Sequence, residues 1–445
     1  MSFPNPTPTL LTPHLPPKTF VGIDLITFKS TPNFHGIRGI PPGWHFVYTG
    51  TTEGLSLRVG GWFFVPEPDN RNTGNNNAGD IRVWKWNEYT ESLEQLRPDE
   101  RAEGMRYKAN IGGLWSSGGL FGYRSRVTAA AVLKRAGVAE NNGFGEGELD
   151  EEEEEGRREW GSLTGWFSEN LLSRITGEPG VDWEGRKRWV VTSGSTARQD
   201  DDDIPGVEGG FMGTKERESP ADNREREFSF VPVDLKMTWR EGAIGPERTE
   251  AARDRSWALG EIVHSISSSH SDSAEGEAQV LGELQFTFLM GLTLMNYSCL
   301  QQWKRLLGLI LTCRRAIVDR ASFMADVLRL LLLQLKRCDD VEGGLFDQLG
   351  AEGGTESAEF LRKLLRGFRT ALYEVLEDVE APSPVRTEFE RLEAWVKSEY
   401  DWELNRDAVL RKGMLQLEDG EEVEMEMIDH EEEEEYAPVV VDLDS

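Results

Sequence analysis

Residues 279–310 read QVLGELQFTFLMGLTLMNYSCLQQWKRLLGLI, and this stretch decides the fold of half the chain. Its first part repeats apolar residues every three or four positions, at Leu281, Leu284, Phe288 and Leu292. This spacing is typical of a helix that buries one face. Residues Ser298–Val318 continue the pattern with Leu300, Trp303, Leu307 and Ile310. The stretch therefore predicts two consecutive helices.

The flanking sequence extends the helical pattern in both directions. The further predicted helices are Glu250–Ser265, Phe323–Leu335, Glu356–Val379 and Val385–Leu404. Phe323–Leu335 is apolar on nearly every side, which favours a helix packed between other helices. Short connections favour antiparallel neighbours. We therefore predict an all-α domain over residues 227–412.

The N-terminal region has a different pattern, in which β-branched and aromatic runs alternate with glycine, proline and asparagine turns. The predicted strands are Phe20–Ile26, His45–Thr49, Leu55–Val65, Ile81–Trp86 and Arg188–Thr192. Helices are predicted at residues 88–100, near Val127–Ala136 and at Trp160–Ile175, with the acidic insert Glu146–Glu155 separating the last two. These patterns predict an antiparallel β-rich domain with helical additions over residues 19–193. The fold class of the whole chain is predicted to be α+β.

Three segments show no periodicity. Residues 1–18 are rich in proline and are predicted to be extended or disordered. Residues 194–226 combine serines, glycines and the run Asp200–Asp203, which predicts a disordered linker. Residues 413–445 contain fourteen acidic residues and neither lysine nor arginine. Because like charges repel and extend a chain, we predict an acidic tail there.

The charge balance limits the classes of partner. The 445 residues carry a formal net charge of −30, and such a chain is repelled by phosphate backbones. We therefore expect no direct DNA binding and no appreciable RNA binding. Basic or mixed protein surfaces are better electrostatic partners.

The cysteines and the apolar runs give no sign of a metal, a cofactor or a membrane anchor. Cys299, Cys313 and Cys338 lack the close spacing of a zinc site and are expected to be reduced. The N-terminus does not have the pattern of a signal peptide, and the run Leu328–Leu335 is too short to cross a bilayer. We expect a soluble protein of the cytoplasm and nucleus.

No known catalytic motif is present. The sequence has neither a phosphate-binding Gly-Lys-Ser/Thr loop, nor a Gly-x-Ser-x-Gly elbow, nor a His-Glu-x-x-His pair. We therefore predict that the protein is not an enzyme. The alternative is a hydrolase or transferase with a degenerate site around Asp24, His35 or His45, although capping or packing is the simpler role for both histidines.

The C-terminal end carries an uninterrupted apolar run, Val439-Val440-Val441, after Pro438. A continuous apolar run suits a strand that is covered on both faces. The strand could pair with an edge of this protein or add to the edge of a partner's sheet. The acidic stretch before it is consistent with a tether that reaches a partner, and the pattern leaves both interpretations open.

Three groups of residues together resemble a known family. The first comprises Gly22-Ile23-Asp24, Phe34-x-Gly36 and Ile40-Pro41-Pro42-Gly43-x-His45-Phe46. The second comprises Val280–Phe286 with Trp303-Lys304-Arg305-Leu306-Leu307, and the third is Ala437-Pro438-Val439-Val440-Val441-x-Leu443. In this order and at these places they resemble the Aar-two family of pre-mRNA splicing factors.

The resemblance implies a non-catalytic, chaperone-like assembly factor of the U-five small nuclear ribonucleoprotein (snRNP) of the spliceosome. Family members bind the RNase H-like and Jab/MPN-type domains of the scaffold protein Prp-eight, with the tail as a strand between these domains. Binding holds off the Brr-two helicase and RNA until the particle matures. A monomer without cofactor is expected in this role, and phosphorylation is implied as a release signal.

The residues expected to contact the partner are Trp303, Lys304, Arg305, Tyr436, Ala437, Pro438, Val439, Val440, Val441 and Leu443. A core position is the simpler interpretation of Trp303 itself. Candidate phosphorylation sites are Ser256, Ser269 and Ser273. A further alternative to the assembly factor is a generic helical scaffold whose tail packs on its own β domain.

Overall fold

A computed structural model describes residues 7–51, 57–67, 80–125, 146–197, 227–267, 273–338, 350–377, 382–405, 411–416 and 422–427. The chain divides into two compact units. The first unit comprises residues 1–231, 278–303 and 333–348, and the second comprises residues 232–277, 304–332 and 349–445. The domain boundaries given above stay predictions.

The β-strands of the first unit form two sheets. The strands are β1 (Thr9–Leu11), β2 (Phe20–Ile23), β3 (Ile26–Lys29), β4 (Gly36–Arg38), β5 (Gly43–Gly50), β6 (Arg58–Val65), β7 (Ile81–Asn87), β8 (Ser92–Gln95), β9 (Leu120–Gly122), β10 (Gly180–Val181) and β11 (Lys187–Thr192). One sheet has the order β8-β7-β1-β4-β9 and the other β10-β11-β6-β5-β2-β3. The strand pairs are antiparallel except β1–β7 and β4–β9, which are parallel. The predicted β-rich N-terminal fold is confirmed, with these two parallel pairs added.

The two sheets share one hydrophobic core. Val47 and Phe63 of the six-stranded sheet belong to the same buried cluster as Leu10 and Trp84 of the five-stranded sheet. The rings of Phe63 and Trp84 meet edge to face at 5.2 Å, which is a favourable aromatic geometry. The opposite face of the six-stranded sheet is also covered, because the ring of Trp62 lies 6.0 Å from that of Trp160 and 4.6 Å from that of Phe167. Cover on both faces accounts for the uninterrupted runs of buried residues in β5 and β6.

The helices are α1 (Arg101–Ala109), α2 (Ile111–Ser116), α3 (Glu146–Leu163), α4 (Glu169–Thr176), α5 (Gly245–Arg253), α6 (Ser256–Ile266), α7 (Ser273–Leu294), α8 (Tyr297–Ile310), α9 (Ala316–Asp319), α10 (Ala321–Lys336), α11 (Gly350–Val375) and α12 (Pro384–Tyr400), with a 3-10 turn at Pro98–Glu100. From α5 onward the described residues up to Asn405 contain no strand. The predicted helical C-terminal region is confirmed.

The proline-rich N-terminus contains an extended segment at residues 9–11. They form β1, a central strand paired with β4 and β7. Leu10 belongs to the core between the sheets, while Leu11 belongs to a second cluster that α1 and α2 cover. Burying each leucine contributes about 1.5–3 kcal/mol. The extended backbone that the flanking prolines favour is compatible with a strand.

The helix predicted at residues 88–100 is also wrong, because this segment turns back as β8. Leu93 pairs with Trp86 of β7 and lies in the core between the sheets. A four-residue strand is too short to show its alternation against a helical pattern. The helix follows later, as α1.

The acidic insert is itself helical and forms the first half of α3, whereas the helix predicted near Val127–Ala136 lies outside the described residues. Carboxylates in the first turns of a helix interact favourably with its dipole. Glu153 is buried and accepts hydrogen bonds from the Ser125 backbone N–H at 2.9 Å and from the Ser125 hydroxyl at 2.9 Å. The insert therefore contributes a structural anchor.

Two predicted helices are each divided in the second unit, and one carboxylate explains both breaks. Glu250–Ser265 divides at Asp254 into α5 and α6, and Ser298–Val318 divides into α8 and α9. Asp254 Oδ1 accepts from the Ser256 N–H at 3.1 Å and from the Arg314 N–H at 2.8 Å. A single Asp thus satisfies backbone donors at both interruptions.

Part of the predicted acidic tail is paired. Strands β12 (Arg411–Gln416) and β13 (Glu422–Met427) form a two-stranded antiparallel sheet in which Arg411 lies opposite Met427. The apolar run of residues 436–443 lies outside the described residues. None of the described helices combines the length and apolar character needed to cross a membrane.

Candidate partner-binding site

Trp303, the central residue of the predicted helical contact, lies inside the first unit. Its side chain is 2% exposed, and its indole Nε1 donates to Gln334 Oε1 at 3.0 Å. The ring lies 6.1 Å from that of Phe288. The placement agrees with the simpler interpretation of a core tryptophan. Lys304 and Arg305, which follow it on α8, are half-buried.

The motif around Trp303 is organised by Glu283, which sequence reasoning did not single out. Its carboxylate is completely buried. It accepts from Arg174 Nη1 at 2.7 Å, from the Val231 N–H at 3.0 Å and from Gln302 Nε2 at 2.9 Å. Gln302 Nε2 also donates to the Val231 carbonyl at 2.9 Å. Glu283 and Gln302 together thus bind the backbone N–H and the carbonyl oxygen of Val231.

Two further glutamines bind backbone in the same way. Gln285 Oε1 accepts from the Trp166 N–H at 2.9 Å, and its Nε2 donates to the Ser162 carbonyl at 2.8 Å. Gln334 Nε2 donates to the Leu284 carbonyl at 3.2 Å. Buried polar side chains require such partners. Isolated polar residues in an otherwise apolar helix are the sequence signal that could have revealed this network.

The N-terminal motif residues also converge, on a buried cluster around Asp24. Its Oδ2 atom lies 2.8 Å from His45 Nδ1 and accepts from the Tyr123 hydroxyl at 2.6 Å, while Oδ1 accepts from the Phe46 N–H at 2.9 Å. The second ring nitrogen of His45 lies 2.8 Å from the Pro41 carbonyl oxygen. Burial and the nearby Asp24 charge raise the pKa of Tyr123 well above its usual range.

This cluster bears directly on the hydrolase alternative. Asp24 and His45 are within hydrogen-bond distance, yet both are buried and the second nitrogen of His45 faces a backbone carbonyl. His35 is separate, and its Nδ1 lies 3.0 Å from the Asn33 carbonyl oxygen. Both ring nitrogens of His45 are therefore occupied, and neither is left to act as a base towards a substrate. The contacts support a structural role, in which Asp24 connects the end of β2 to β5 and to the chain after β9.

Within the second unit, two of the three candidate phosphorylation sites line one cleft of about 370 Å³. Ser256 is half-buried, and its hydroxyl donates to Asp254 Oδ1 at 2.5 Å and accepts from the Ala316 N–H at 3.1 Å. Ser273 is exposed at the first residue of α7, and Arg320 Nη1 donates to its hydroxyl at 2.7 Å. Arg320 also forms an ion pair with Glu277.

The other predicted site residues lie outside the described part of the chain. They are Ser269 and the tail residues Tyr436, Ala437, Pro438, Val439, Val440, Val441 and Leu443. Among the residues that are described, no group of three or more histidine, cysteine or acidic side chains is placed to hold a metal ion.

Comparison with known proteins finds the same relatives over both regions of the chain. The family model of the AAR2 N-terminal domain matches residues 6–177, and that of the AAR2 C-terminal repeat region matches residues 230–405. Protein AAR2 homolog of Homo sapiens is 23% identical over 410 residues, which are 89% of each chain. The protein of the same name from Mus musculus is 24% identical over 414 residues, and that from Caenorhabditis elegans is 23% identical over 330 residues, covering 71% of this chain and 75% of that one.

Proposed function

Because this chain belongs to the AAR2 family, a family linked to splicing, we propose that it is a non-catalytic assembly factor of the U-five snRNP. It binds the RNase H-like and Jab/MPN-type domains of Prp-eight in the precursor particle. By occupying these domains it delays binding of the Brr-two helicase and of RNA. The protein acts as a monomer, without cofactor, in the cytoplasm and nucleus.

The observation that carries the proposal is the family match over both regions of the chain, residues 6–177 and 230–405. The net charge of −30 supports a protein partner with a basic surface, since an acidic protein can cover a surface that otherwise binds RNA. The absence of a recognised catalytic motif from the sequence is consistent with a binding role.

The proposed contact is the C-terminal run Tyr436–Leu443, which adds as a strand to the partner. Main-chain hydrogen bonds of an added strand give affinity, and pockets for its side chains give specificity. A strand between two domains is covered on both faces, which suits Val439-Val440-Val441. Since Trp303 is buried, a second contact on α8 would use Lys304 and Arg305.

The test is a binding titration between this protein and a Prp-eight fragment with both domains. Three chains are compared: the full chain, a chain ending at Glu435, and a control ending at Leu443 that keeps the strand. We expect the chain ending at Glu435 to bind at least about tenfold more weakly, or about 1.4 kcal/mol, and the control to bind like the full chain.

Equal binding by all three chains would refute the strand contact and move the contact to other surfaces such as that of Lys304 and Arg305. No binding by any of them would contradict the assembly function itself.

Among the candidate phosphorylation sites, we propose Ser273 as the regulatory one. Ser273 is exposed, whereas the Ser256 hydroxyl is already bonded to Asp254 and to the Ala316 N–H. A phosphate adds close to two negative charges and three strong acceptors. It would attract Arg320 away from Glu277 at the positive end of α7.

Phosphate mapping by mass spectrometry after treatment with an acid-directed kinase tests this choice. We expect modification of the full chain that Ser273→Ala removes and Ser256→Ala leaves in place. Unchanged modification of Ser273→Ala would contradict the assignment.

A further inference from the structure

Helix α11 carries a concentration of positive charge that is unusual for so acidic a chain. The fourteen residues from Phe360 to Tyr373 include four basic residues and no acidic one. These basic residues are Arg362, Lys363, Arg366 and Arg369. The helix belongs to the second unit and packs through Phe368 against Phe389 of α12, with ring centroids 5.4 Å apart.

Two of these arginines, Arg362 and Arg366, which we call the arginine pair, have no carboxylate partner among the described residues. The Nε atoms of both are buried without a hydrogen-bond acceptor. Arg366 Nη2 makes one long hydrogen bond, 3.4 Å, to the Glu403 carbonyl oxygen. Burial lowers the pKa of Arg366, and the charge of Arg362 lowers it further against the opposing effect of Glu359. The arginine pair is thus half-buried, mutually repelling and incompletely bonded.

Two nearby arginines, Arg369 of α11 and Arg386 of α12, are by contrast paired with carboxylates. Arg369 Nε donates to Glu393 at 2.9 Å, and Arg386 Nε donates to Glu390 at 3.0 Å. Both guanidinium groups also lie over the ring of Tyr373, at 4.9 and 5.4 Å. Carboxylates of α12 therefore neutralise Arg369 and Arg386, whereas no described carboxylate forms an ion pair with the arginine pair.

The length of the chain sets how far an acidic segment can lie from this place. Arg366 contacts the carbonyl of Glu403, close to where the chain leaves α12. From Asn405 the chain runs six residues to Arg411, which lies opposite Met427 in the β12–β13 sheet. From Met427 it runs four more residues to Glu431. At about 3.4 Å per residue, Glu431 can lie at most about 40 Å from Asn405. The run Glu431–Glu435 is thus tethered within reach of the arginine pair.

We propose that Glu431–Glu435 docks on the arginine pair of its own chain. The glutamates supply the carboxylates that Arg362 and Arg366 lack, and a short tether gives them an effective concentration on the order of millimolar. An arginine guanidinium donates two parallel hydrogen bonds to one carboxylate, which makes it a better partner than lysine for this purpose. The inference goes beyond the proposed function and does not depend on any other protein.

The test is zero-length carbodiimide cross-linking of the full chain alone, read by mass spectrometry. Lys363, adjacent to the arginine pair on α11, is exposed and supplies the amine. We expect a link between Lys363 and Glu431–Glu435 within one molecule, as judged from a mixture of isotope-labelled and unlabelled protein. The double variant R362E/R366E should reduce this link at least roughly fivefold, the combined effect of losing two ion pairs of the strength found at a protein surface.

The matched control is R101E/R106E, which reverses two exposed arginines on α1 of the first unit and should leave the link unchanged. A second variant, R362Q/R366Q, guards against misfolding because it removes both charges without placing carboxylates in α11, and it should also reduce the link. A link that survives R362E/R366E in folded protein, a link found between molecules, or no link in the full chain would each overturn the proposal.

Discussion

Replacing Glu283 with glutamine should destabilise the first unit by about 2–3 kcal/mol. Glutamine keeps the size but removes the charge and turns one oxygen into a donor. Removing one partner of a buried ion pair costs about 3–5 kcal/mol. Arg174, the partner in this pair, is 21% exposed, so water recovers part of the loss. Glutamine can still accept from the Val231 N–H, which keeps the expected cost at the lower end.

Urea unfolding followed by tryptophan fluorescence measures this effect. With a slope of about 2–3 kcal/mol per molar urea, the midpoint should fall by about 1 M. Glu261→Gln, at an exposed position on α6, is the control and should stay within about 0.5 kcal/mol. A double-mutant cycle with Arg174→Met should give a coupling energy of about 1 kcal/mol or more. A midpoint equal to that of the control, or strictly additive variants, would refute the assigned role of Glu283.

Three further predictions concern the first unit, one of them with Gly367 of the second unit for comparison. Trp303→Phe removes the hydrogen bond to Gln334 Oε1 and should lower the free energy of urea unfolding by about 1–3 kcal/mol. Its affinity for the partner should not change. A loss of affinity in folded protein would contradict the core role of Trp303. Gly22→Ala should lower the free energy of unfolding by about 1–3 kcal/mol, because the added Cβ overlaps the Tyr48 ring. Gly367→Ala has open space on a helix and should raise the free energy of unfolding by up to about 1 kcal/mol. Similar effects from both variants would contradict the packing argument. Burial, followed by the hydrogen bond to Glu103, raises the pKa of Tyr107 to about 12. The neutral phenol therefore contributes its full stabilisation below pH 10, and this contribution should be lost between about pH 10 and 12. In a spectroscopic titration of tyrosine ionisation, Tyr107→Phe should lack the ionisation step near pH 12.

Long periodic segments were the part of the fold that the sequence predicted best. The helices around residues 279–310 and 321–336 follow from an apolar repeat near 3.6 residues, which local sequence contains in full. Short strands such as β1 and β8 were missed, because three or four residues show no reliable period. The strand character of β1 comes from its partner β4, 25–29 residues away, and that of β8 from the core that Leu93 enters; neither is visible locally.

The buried polar residues explain why site prediction was less complete. Asp24 and His45 were singled out from sequence, but Tyr123, which completes their cluster, lies 99 residues from Asp24. Glu283 lies within the motif Val280–Phe286, but its individual role could not be predicted, since it depends on Arg174 and Val231, which the fold brings together. Motif residues that identify the family are therefore largely architectural in the described structure, and the predicted tail contact remains a prediction.

The central claim, that this protein withholds Prp-eight from the helicase, is tested most directly by competition. Labelled Brr-two helicase is titrated into a Prp-eight fragment containing the RNase H-like and Jab/MPN-type domains, with and without a saturating amount of this protein. The account predicts that the apparent Kd of the helicase rises in proportion to the concentration of this protein, and that no ternary complex forms. An unchanged helicase affinity, or a stable ternary complex, would contradict it.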